Sequence, residues 1–180
     1  MHITTERLIL RRMQDSDLQN FLEYEQHPDH SRYFYRSPYS EEQAKAFIAE
    51  NRDLEPGAEG TYLHLVVELA SSGKMIGTVC VNVTSQAHWQ GDVGWFFHPD
   101  YLGQGFATEA SRALLEFVFT RLELHRITAF CDADNERSRQ MMERLGMRRE
   151  AHYQDAAFFD GVWHNQFAYA MLEQEWKACR

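Results

Sequence analysis

A short glycine-bearing loop, residues 103–107, stands between an apolar strand pattern and an amphipathic helix pattern. The first amides of a helix lack intrahelical partners and carry partial positive charge, so this junction favours an anion such as a diphosphate. Gly103 and Gly105 allow the main chain to approach a ligand closely. A plain strand–helix connection has the same pattern, and the dinucleotide fingerprint needs a third glycine where Thr108 stands. The residues predict a phosphate-binding turn without identifying its ligand.

Polar residues able to exchange protons flank this loop in the sequence. Asp92 stands near the start of the preceding strand, and His98 stands at its end. After the next strand, Asn135 and Ser138 are three residues apart at the start of a short helix. Carboxylates, imidazoles and hydroxyls are the side chains that serve as general acids and bases. The loop and these residues together predict a site where one ligand is bound and chemistry is done beside it.

The elements that must position these residues have the order β-α-α-β-β-β-α-β-α-β-β. This order predicts an α+β fold in a single domain over residues 1–180, with about seven strands and about four helices. The sheet is expected to be mixed but mostly antiparallel, with a parallel pair where a helix intervenes. Ser40 followed by Gln43 predicts a capping box at the second helix. Asp160-Gly161 predicts a tight hairpin turn near the end.

Composition excludes several classes of function. The formal net charge of −9 argues against nucleic acid as a partner and is compatible with a cationic substrate such as an amine. No apolar stretch approaches the roughly 20 residues of a membrane span, and the N-terminus lacks a signal-peptide pattern, so we expect a cytoplasmic protein without a membrane partner. The nine His and three Cys residues show no metal-ligand spacing, and no metal is predicted.

Five motifs occur in order along nearly the whole chain. They are Thr5–Arg11, Lys74–Thr78, Gly103–Ala110, Asn135-x-x-Ser138 with Leu145–Met147, and Asp160–Asn165. In this order they resemble the GNAT superfamily of N-acetyltransferases, and within it the RimJ/RimL-type branch. The resemblance implies a GNAT-like fold, acetyl-CoA as co-substrate, and acetyl transfer to a primary amine by direct attack in a ternary complex.

The resemblance also implies which residues bind the donor. These are Phe96, Phe97, His98, Gln104, Gly105, Phe106, Ala107, Thr108, Asn135 and Ser138. The amides from Gln104 to Thr108 would hold the diphosphate. The strand end at residues 96–98 would pair with the pantetheine arm as an added strand does and polarise the thioester carbonyl. Asn135 would hydrogen-bond the same arm, and Ser138 would lie near the sulfur.

Two positions depart from the family pattern. Many members carry Arg or Gln where Leu102 stands, so we expect no side-chain contact from Leu102. Many also carry a Tyr as general acid seven residues after the motif Asn, where this chain has Met142. Ser138 is therefore the candidate for the acid that protonates the departing thiolate, with an ordinary first-turn helix position as the alternative.

The attacking nitrogen must be neutral, which makes the base important. At pH 7 an α-amine with a pKa of about 7.8 is roughly 14% neutral, whereas a lysine near 10.4 is about 0.04% neutral. That difference corresponds to roughly 3.5 kcal/mol. Asp92, on the strand where many relatives place a Glu, is the candidate base, and His98 is the second. A base of modest strength favours an α-amine over lysine.

The acceptor side is the least determined part of the sequence. Tyr33, Phe34, Trp89 and Trp163 are candidates for the walls of an acceptor groove, although such aromatics also occur as core or lid residues. Relatives commonly have Asp where Asn165 stands. The leading interpretation is acetylation of the N-terminal α-amine of a protein or peptide. A small amine (a polyamine or an antibiotic) and a non-catalytic acyl-CoA-binding module remain alternatives, and a homodimer is compatible with the resemblance.

Overall fold

A mixed sheet of eight strands forms the centre of the computed structural model, which describes residues 1–27 and 31–179. The strands are β1 (His2–Thr4), β2 (Leu8–Arg11), β3 (Tyr62–Leu69), β4 (Met75–Ser85), β5 (Gln90–Phe97), β6 (Arg126–Asp132), β7 (Arg148–Phe159) and β8 (Val162–Leu172). Their order in the sheet is β1-β2-β3-β4-β5-β6-β8-β7. Neighbours are antiparallel except for β5 and β6, which are parallel.

Five α-helices flank this sheet in the part of the chain that the structure describes. They are α1 (Leu18–Glu25), α2 (Glu41–Asp53), α3 (Phe106–Thr120), α4 (Glu136–Leu145) and α5 (Glu173–Ala178). The predicted α+β class and the mixed, mostly antiparallel sheet are confirmed, but the numbers of strands and helices exceed the prediction by one each. The extra elements are β1 and α5, which at three and six residues are too short to show a periodicity. Among the described residues, no helix combines the length and apolarity needed to cross a bilayer.

Local signals in the sequence account for several boundaries. The Ser40 hydroxyl accepts from the Gln43 amide at 3.2 Å, and the Gln43 side chain accepts from the Ser40 amide at 2.9 Å. This is the predicted capping box at the start of α2. Asp160 and Gly161 both have positive φ, 49° and 78°, as the predicted hairpin between β7 and β8 requires.

The two faces of the sheet carry separate apolar clusters. The larger cluster lies under α3 and α4, and Val93 and Phe97 of β5 point into it. The smaller one lies under α1 and α2, and Phe96 packs against it. Because side chains alternate along a strand, Asp92 and Gly94 share the α1–α2 face with Phe96. Strand β5 thus presents one face to each half of the molecule.

Candidate active site

Strands β5 and β6 separate from each other along part of their length. The two strands pair only from Gln90↔Arg126 to Asp92↔Thr128, although β5 continues to Phe97 and β6 to Asp132. Beyond the paired residues lies a cleft of about 570 Å³. A side chain on its wall, Phe130, is exposed. The parallel pair predicted from sequence is therefore present, and it separates to form a binding slot.

The main-chain groups of β5 face this cleft at alternate residues. The β4–β5 register is regular from Gly77↔Phe97 to Val83↔Gly91, and the amide of His98 donates to Ile76 at 2.9 Å. Antiparallel pairs alternate between bonded and non-bonded positions, so the amides of residues 93, 95 and 97 point away from β4. They point into the gap, where an extended ligand could pair with them.

The glycine-bearing loop opens onto one end of the cleft. Gly105 caps α3 with φ +84°, and Gly103 has φ +76°; glycine adopts this left-handed region without steric cost. Gly103, Gly105, Phe106, Ala107 and Thr108 line the cleft. The side chain of Gln104 instead turns back to the Asp100 carbonyl at 3.1 Å. Unpartnered amides of the first helical turn thus meet the slot at the place predicted for a diphosphate.

The start of α4 forms the facing wall. Asn135 caps the helix by accepting from the Ser138 amide at 3.1 Å, which leaves its side-chain NH₂ group for a ligand. Both Asn135 and Ser138 line the cleft. Burial raises the pKa of the Cys131 thiol to about 11, while a hydrogen bond from Ser138 acts in the opposite direction. Ser138 therefore stands beside a neutral thiol, with its hydroxyl at the cleft.

Two arginines on this wall were not among the site residues predicted from the sequence. Arg137 and Arg144 of α4 both line the cleft, and they are seven residues apart, which places them on one helix face. The spacing of Arg137, Gln140 and Arg144 along the predicted helix could have indicated that they share one face with the cleft. Guanidinium groups suit phosphate oxygens, so this wall can attract an anionic ligand.

Asp92 is buried on the α1–α2 face of the sheet. It stands two residues before Gly94 on β5, and Gly94 lines the cleft. Asn82 donates to its Oδ2 at 3.3 Å. Burial raises the pKa of Asp92, and hydrogen bonds from Tyr62 and Asn82 act against that rise. A Cβ added to Gly94 would come within 3.0 Å of the Cys80 Sγ, so the close packing of β4 against β5 beside Asp92 favours a glycine at this position. Asp92 is thus close to the slot without lining it.

Three of the predicted site residues, His98, Trp89 and Trp163, are not among the residues that line the cleft. His98 is 3% exposed and its Nδ1 accepts from the Asp100 amide at 3.2 Å, so both its amide and its ring serve the fold and not the cleft. Trp89 is exposed in the β4–β5 turn, about 20 Å along β5 from Phe96. Trp163 is exposed near the β7–β8 turn and contacts Phe158, with ring centroids 5.0 Å apart. For Trp89, the residue type suggested an acceptor wall, whereas its place in the β4–β5 turn depends on strand bounds that the sequence did not specify.

The segment before α2 contributes aromatic side chains to the wall of the cleft. Tyr33 and Phe34, two of the candidates for an acceptor groove, line the cleft, and the Phe34 ring meets Phe96 edge-on at 5.1 Å. The next residue, Tyr35, has φ +51°, a strained conformation for a residue with a side chain. The contact between Phe34 and Phe96 joins this segment to the end of β5.

Tyr35 is held by a buried carboxylate that the sequence analysis did not single out. Its hydroxyl donates to Asp132 Oδ2 at 2.7 Å, and His164 Nδ1 lies 3.0 Å from the same oxygen. The Asp134 amide donates to the other oxygen at 2.7 Å. Asp132 thereby connects the covering segment to the end of β6 and to β8. We name this group of Tyr35, Asp132 and His164 the acceptor-side network.

A second buried carboxylate on this side is also paired. Glu25 of α1 is 2% exposed and accepts from Arg36 at 2.9 Å. Arg36 also lies over the ring of Tyr39, 4.1 Å from its centroid. The buried acids Glu25 and Asp132 therefore already have donors. Among the described residues, no group of three or more His, Cys, Asp or Glu side chains could hold a metal ion.

Comparison with known proteins gives a consistent result. Residues 7–148 match the model of the acetyltransferase (GNAT) domain. The chain is 35% identical over 176 residues to the uncharacterized N-acetyltransferase YnaD of Bacillus subtilis (strain 168), covering 98% of this chain and 99% of the relative. A crystal structure of a GNAT-family acetyltransferase from Bacillus anthracis superimposes with a TM-score of 0.86 at 30% identity, over 97% of this chain and 99% of the other. The predicted GNAT-like fold is confirmed.

Two more distant relatives carry acceptors in their names. The spermidine N(1)-acetyltransferase of Escherichia coli (strain K12) is 24% identical over 94% of this chain and 88% of its own length. The [ribosomal protein uS5]-alanine N-acetyltransferase of the same strain is 22% identical over 98% of this chain and 93% of its own length. One of these proteins is named for a polyamine and the other for a protein, at nearly equal distance from this chain.

Proposed function

Because this chain belongs to the GNAT family and is an acetyl-CoA-dependent N-acetyltransferase, we propose that its acceptor is the N-terminal α-amine of a protein or peptide. The main support for where the two substrates bind is the gap between β5 and β6. The cleft that it forms is lined by the α3 N-terminus, Gly105 to Thr108, and also by Tyr33 and Phe34 of the segment before α2. In this proposal the donor diphosphate lies at the α3 N-terminus, and the acceptor amine enters beside Tyr33 and Phe34.

The donor is held mainly by main-chain groups. Amides at the start of α3, from Gly105 to Thr108, bind the diphosphate, and Arg137 and Arg144 add positive charge from the facing wall. The pantetheine arm lies along the free edge of β5, with the Asn135 NH₂ group on its other side. The dimensions of the cleft, about 570 Å³, are those of a small-molecule site.

The chemistry uses three groups around the thioester. The amine nitrogen attacks the thioester carbonyl, and the Phe97 amide, which points into the gap, stabilises the negative charge that develops on the oxygen. The carbon–sulfur bond then breaks, and the Ser138 hydroxyl protonates the departing thiolate. Asp92 accepts the proton that the amine loses, directly or through a water molecule. Its buried position raises the pKa of Asp92 toward that of a useful base.

The charges around the acceptor end support an α-amine over a polyamine. A polyamine carries several ammonium groups and would need carboxylates free to receive them. Besides the proposed base Asp92, the buried acids Glu25 and Asp132 near this segment are already engaged, Glu25 by Arg36 and Asp132 by Tyr35 and His164. A monocation whose nitrogen is partly neutral at pH 7 makes the smaller demand, because it needs only one base.

The proposal is tested by thiol release from acetyl-CoA with three acceptors. The first is a lysine-free peptide with a free N-terminus, the second the same peptide with a blocked N-terminus and one lysine, and the third spermidine. We expect kcat/KM to be at least tenfold higher for the first than for either of the others. Higher kcat/KM for spermidine would replace the proposal with polyamine acetylation, and equal use of both peptides would remove the α-amine preference.

A further inference from the structure

The guanidinium of Arg7, in the turn between β1 and β2, lies against the loop that precedes α3. Its Nη1 donates to the main-chain carbonyl of Gln104 at 3.1 Å, and its Cζ lies 4.5 Å from the ring centroid of Phe106. A Cβ added to Gly105 would come within 3.3 Å of Nη2. Arg7 therefore contacts three consecutive residues of the loop, and it does so without lining the cleft.

Glu109 holds Arg7 in this position from the first turn of α3. Arg7 Nε donates to Oε2 at 2.7 Å, and the Arg7 amide donates to Oε1 at 2.9 Å. The Thr5 hydroxyl donates to the same Oε1 at 2.6 Å. Burial opposes ionisation of this carboxyl, but the bonds from Thr5 and Arg7 outweigh it and lower the pKa of Glu109. Residues about 100 positions apart thus fix one end of the cleft.

We propose that Arg7 and Glu109 are positioning residues for the donor, which orient the peptide between Gln104 and Gly105 toward the diphosphate. In a trans peptide the carbonyl and the N–H point in opposite directions. Because Arg7 binds the Gln104 carbonyl, the Gly105 N–H is turned away from Arg7, and Gly105 is the residue of this pair that lines the cleft. The inference rests on the donor placement proposed above.

The positive φ values of Gly103 and Gly105 explain why such a restraint is needed. Glycine adopts positive and negative φ values at similar cost. The peptide groups between these two glycines can therefore rotate more easily than peptide groups between residues that have side chains. A rotated peptide would direct the Gln104 oxygen at the diphosphate, where two negative groups repel. Arg7 prevents this rotation by holding the carbonyl, and Glu109 prevents Arg7 from following the ligand.

The proposed role of Arg7 predicts that its removal lowers kcat/KM for a donor with a diphosphate but not for a donor without one. Acetyl-CoA carries the diphosphate, whereas S-acetylpantetheine has the same thioester and arm without it. For Arg7→Ala we expect kcat/KM to fall about tenfold or more with acetyl-CoA, since a hydrogen bond to a charged group is lost. With S-acetylpantetheine the same variant should change less than twofold. An equal loss with both donors, or no loss with either, overturns the proposal.

Two further variants separate orientation from charge and from stability. Arg7→Lys keeps the positive charge but lacks the fork that joins Glu109 to the Gln104 carbonyl; full recovery of acetyl-CoA use by this variant would show that charge alone suffices and refute the orienting role. Arg52→Ala is the matched control, because Arg52 is bonded to Asp15 on the exposed end of α2. It should leave the ratio of the two donors unchanged.

Equilibrium binding of CoA, measured without an amine, keeps this inference separate from the acceptor. A wild-type protein that binds CoA but acetylates no α-amine contradicts the proposed acceptor only. A wild-type protein that binds CoA no more tightly than pantetheine contradicts the diphosphate placement and this inference with it.

Discussion

Replacement of Tyr35 by Phe tests whether the acceptor-side network holds the cover of the cleft. The change removes only the hydroxyl that donates to Asp132 at 2.7 Å. The ring contact between Tyr35 and His164, 4.9 Å between centroids, can remain. Since Tyr35 has φ +51°, the segment has little intrinsic preference for this conformation and depends on the bond.

The free-energy cost of Tyr35→Phe depends on the hydrogen bonds that Asp132 retains in the variant. A hydrogen bond to a charged group contributes about 1.5–3 kcal/mol. Asp132 retains the bonds from His164 and from the Asp134 amide, so its charge is not left unpaired, and the lower value of about 1.5 kcal/mol applies. That value reduces the population of the observed conformation of the segment, relative to other conformations, roughly tenfold and lowers Tm by about 3–6 °C in a domain of this size.

The assay is steady-state kinetics with the acceptor peptide and acetyl-CoA, together with thermal unfolding. We expect Tyr35→Phe to raise KM for the peptide by up to about tenfold and to change KM for acetyl-CoA less than twofold. Tyr153→Phe is the matched control, because Tyr153 is an exposed tyrosine of β7. An unchanged KM for the peptide, or an equal rise for both substrates, would refute the role assigned to the network.

Other substitutions test the remaining parts of the site. Asp92→Asn should lower kcat about 100-fold or more. Because burial raises the pKa of Asp92, the ionised carboxylate destabilises the folded protein at every pH above the pKa of an unfolded aspartate, about 3.9. Asp92→Asn should therefore raise Tm at pH 7 but not at pH 3. A lower Tm at pH 7 would contradict the raised pKa of Asp92. Ser138→Ala should lower kcat about tenfold with KM for acetyl-CoA unchanged, and full turnover would remove Ser138 as the acid. Gly105→Ala should raise KM for acetyl-CoA, since its φ of +84° is strained for alanine; calorimetric titration with CoA measures the loss. Trp89→Ala should leave both KM values unchanged, because Trp89 lies at the far end of β5.

Features with a local cause could be predicted from the sequence. The Ser40 capping box and the Asp160-Gly161 turn depend on residues no more than three apart, and both are present. The loop at residues 103–107 was visible for the same reason, because a strand, two glycines and a helix follow one another directly. Strand β1 was missed because its three residues become a strand only by pairing with β2, as Ile3 does with Leu10.

Features that arise from distant contacts were not predictable. Tyr35 and Asp132 are 97 positions apart, and Asp132 and His164 are 32 apart, so no spacing in the sequence relates them. The same holds for Arg7 and Glu109, although both belong to motifs that were recognised. For His98, the residue type suggested chemistry, whereas its burial against Asp100 gives it a structural use.

The gap between β5 and β6 gives acetyl-CoA a second role besides that of acetyl donor. In the proposed placement of the pantetheine arm, the ligand takes the place of the strand pairing that ends at Asp92, next to the exposed ring of Phe130. A ligand that binds only the native state stabilises it by about 2.7 kcal/mol at a concentration 100 times its Kd. The lifetime of this enzyme in a cell should therefore depend on the size of the coenzyme A pool, so that starvation for the donor depletes the enzyme as well as its substrate.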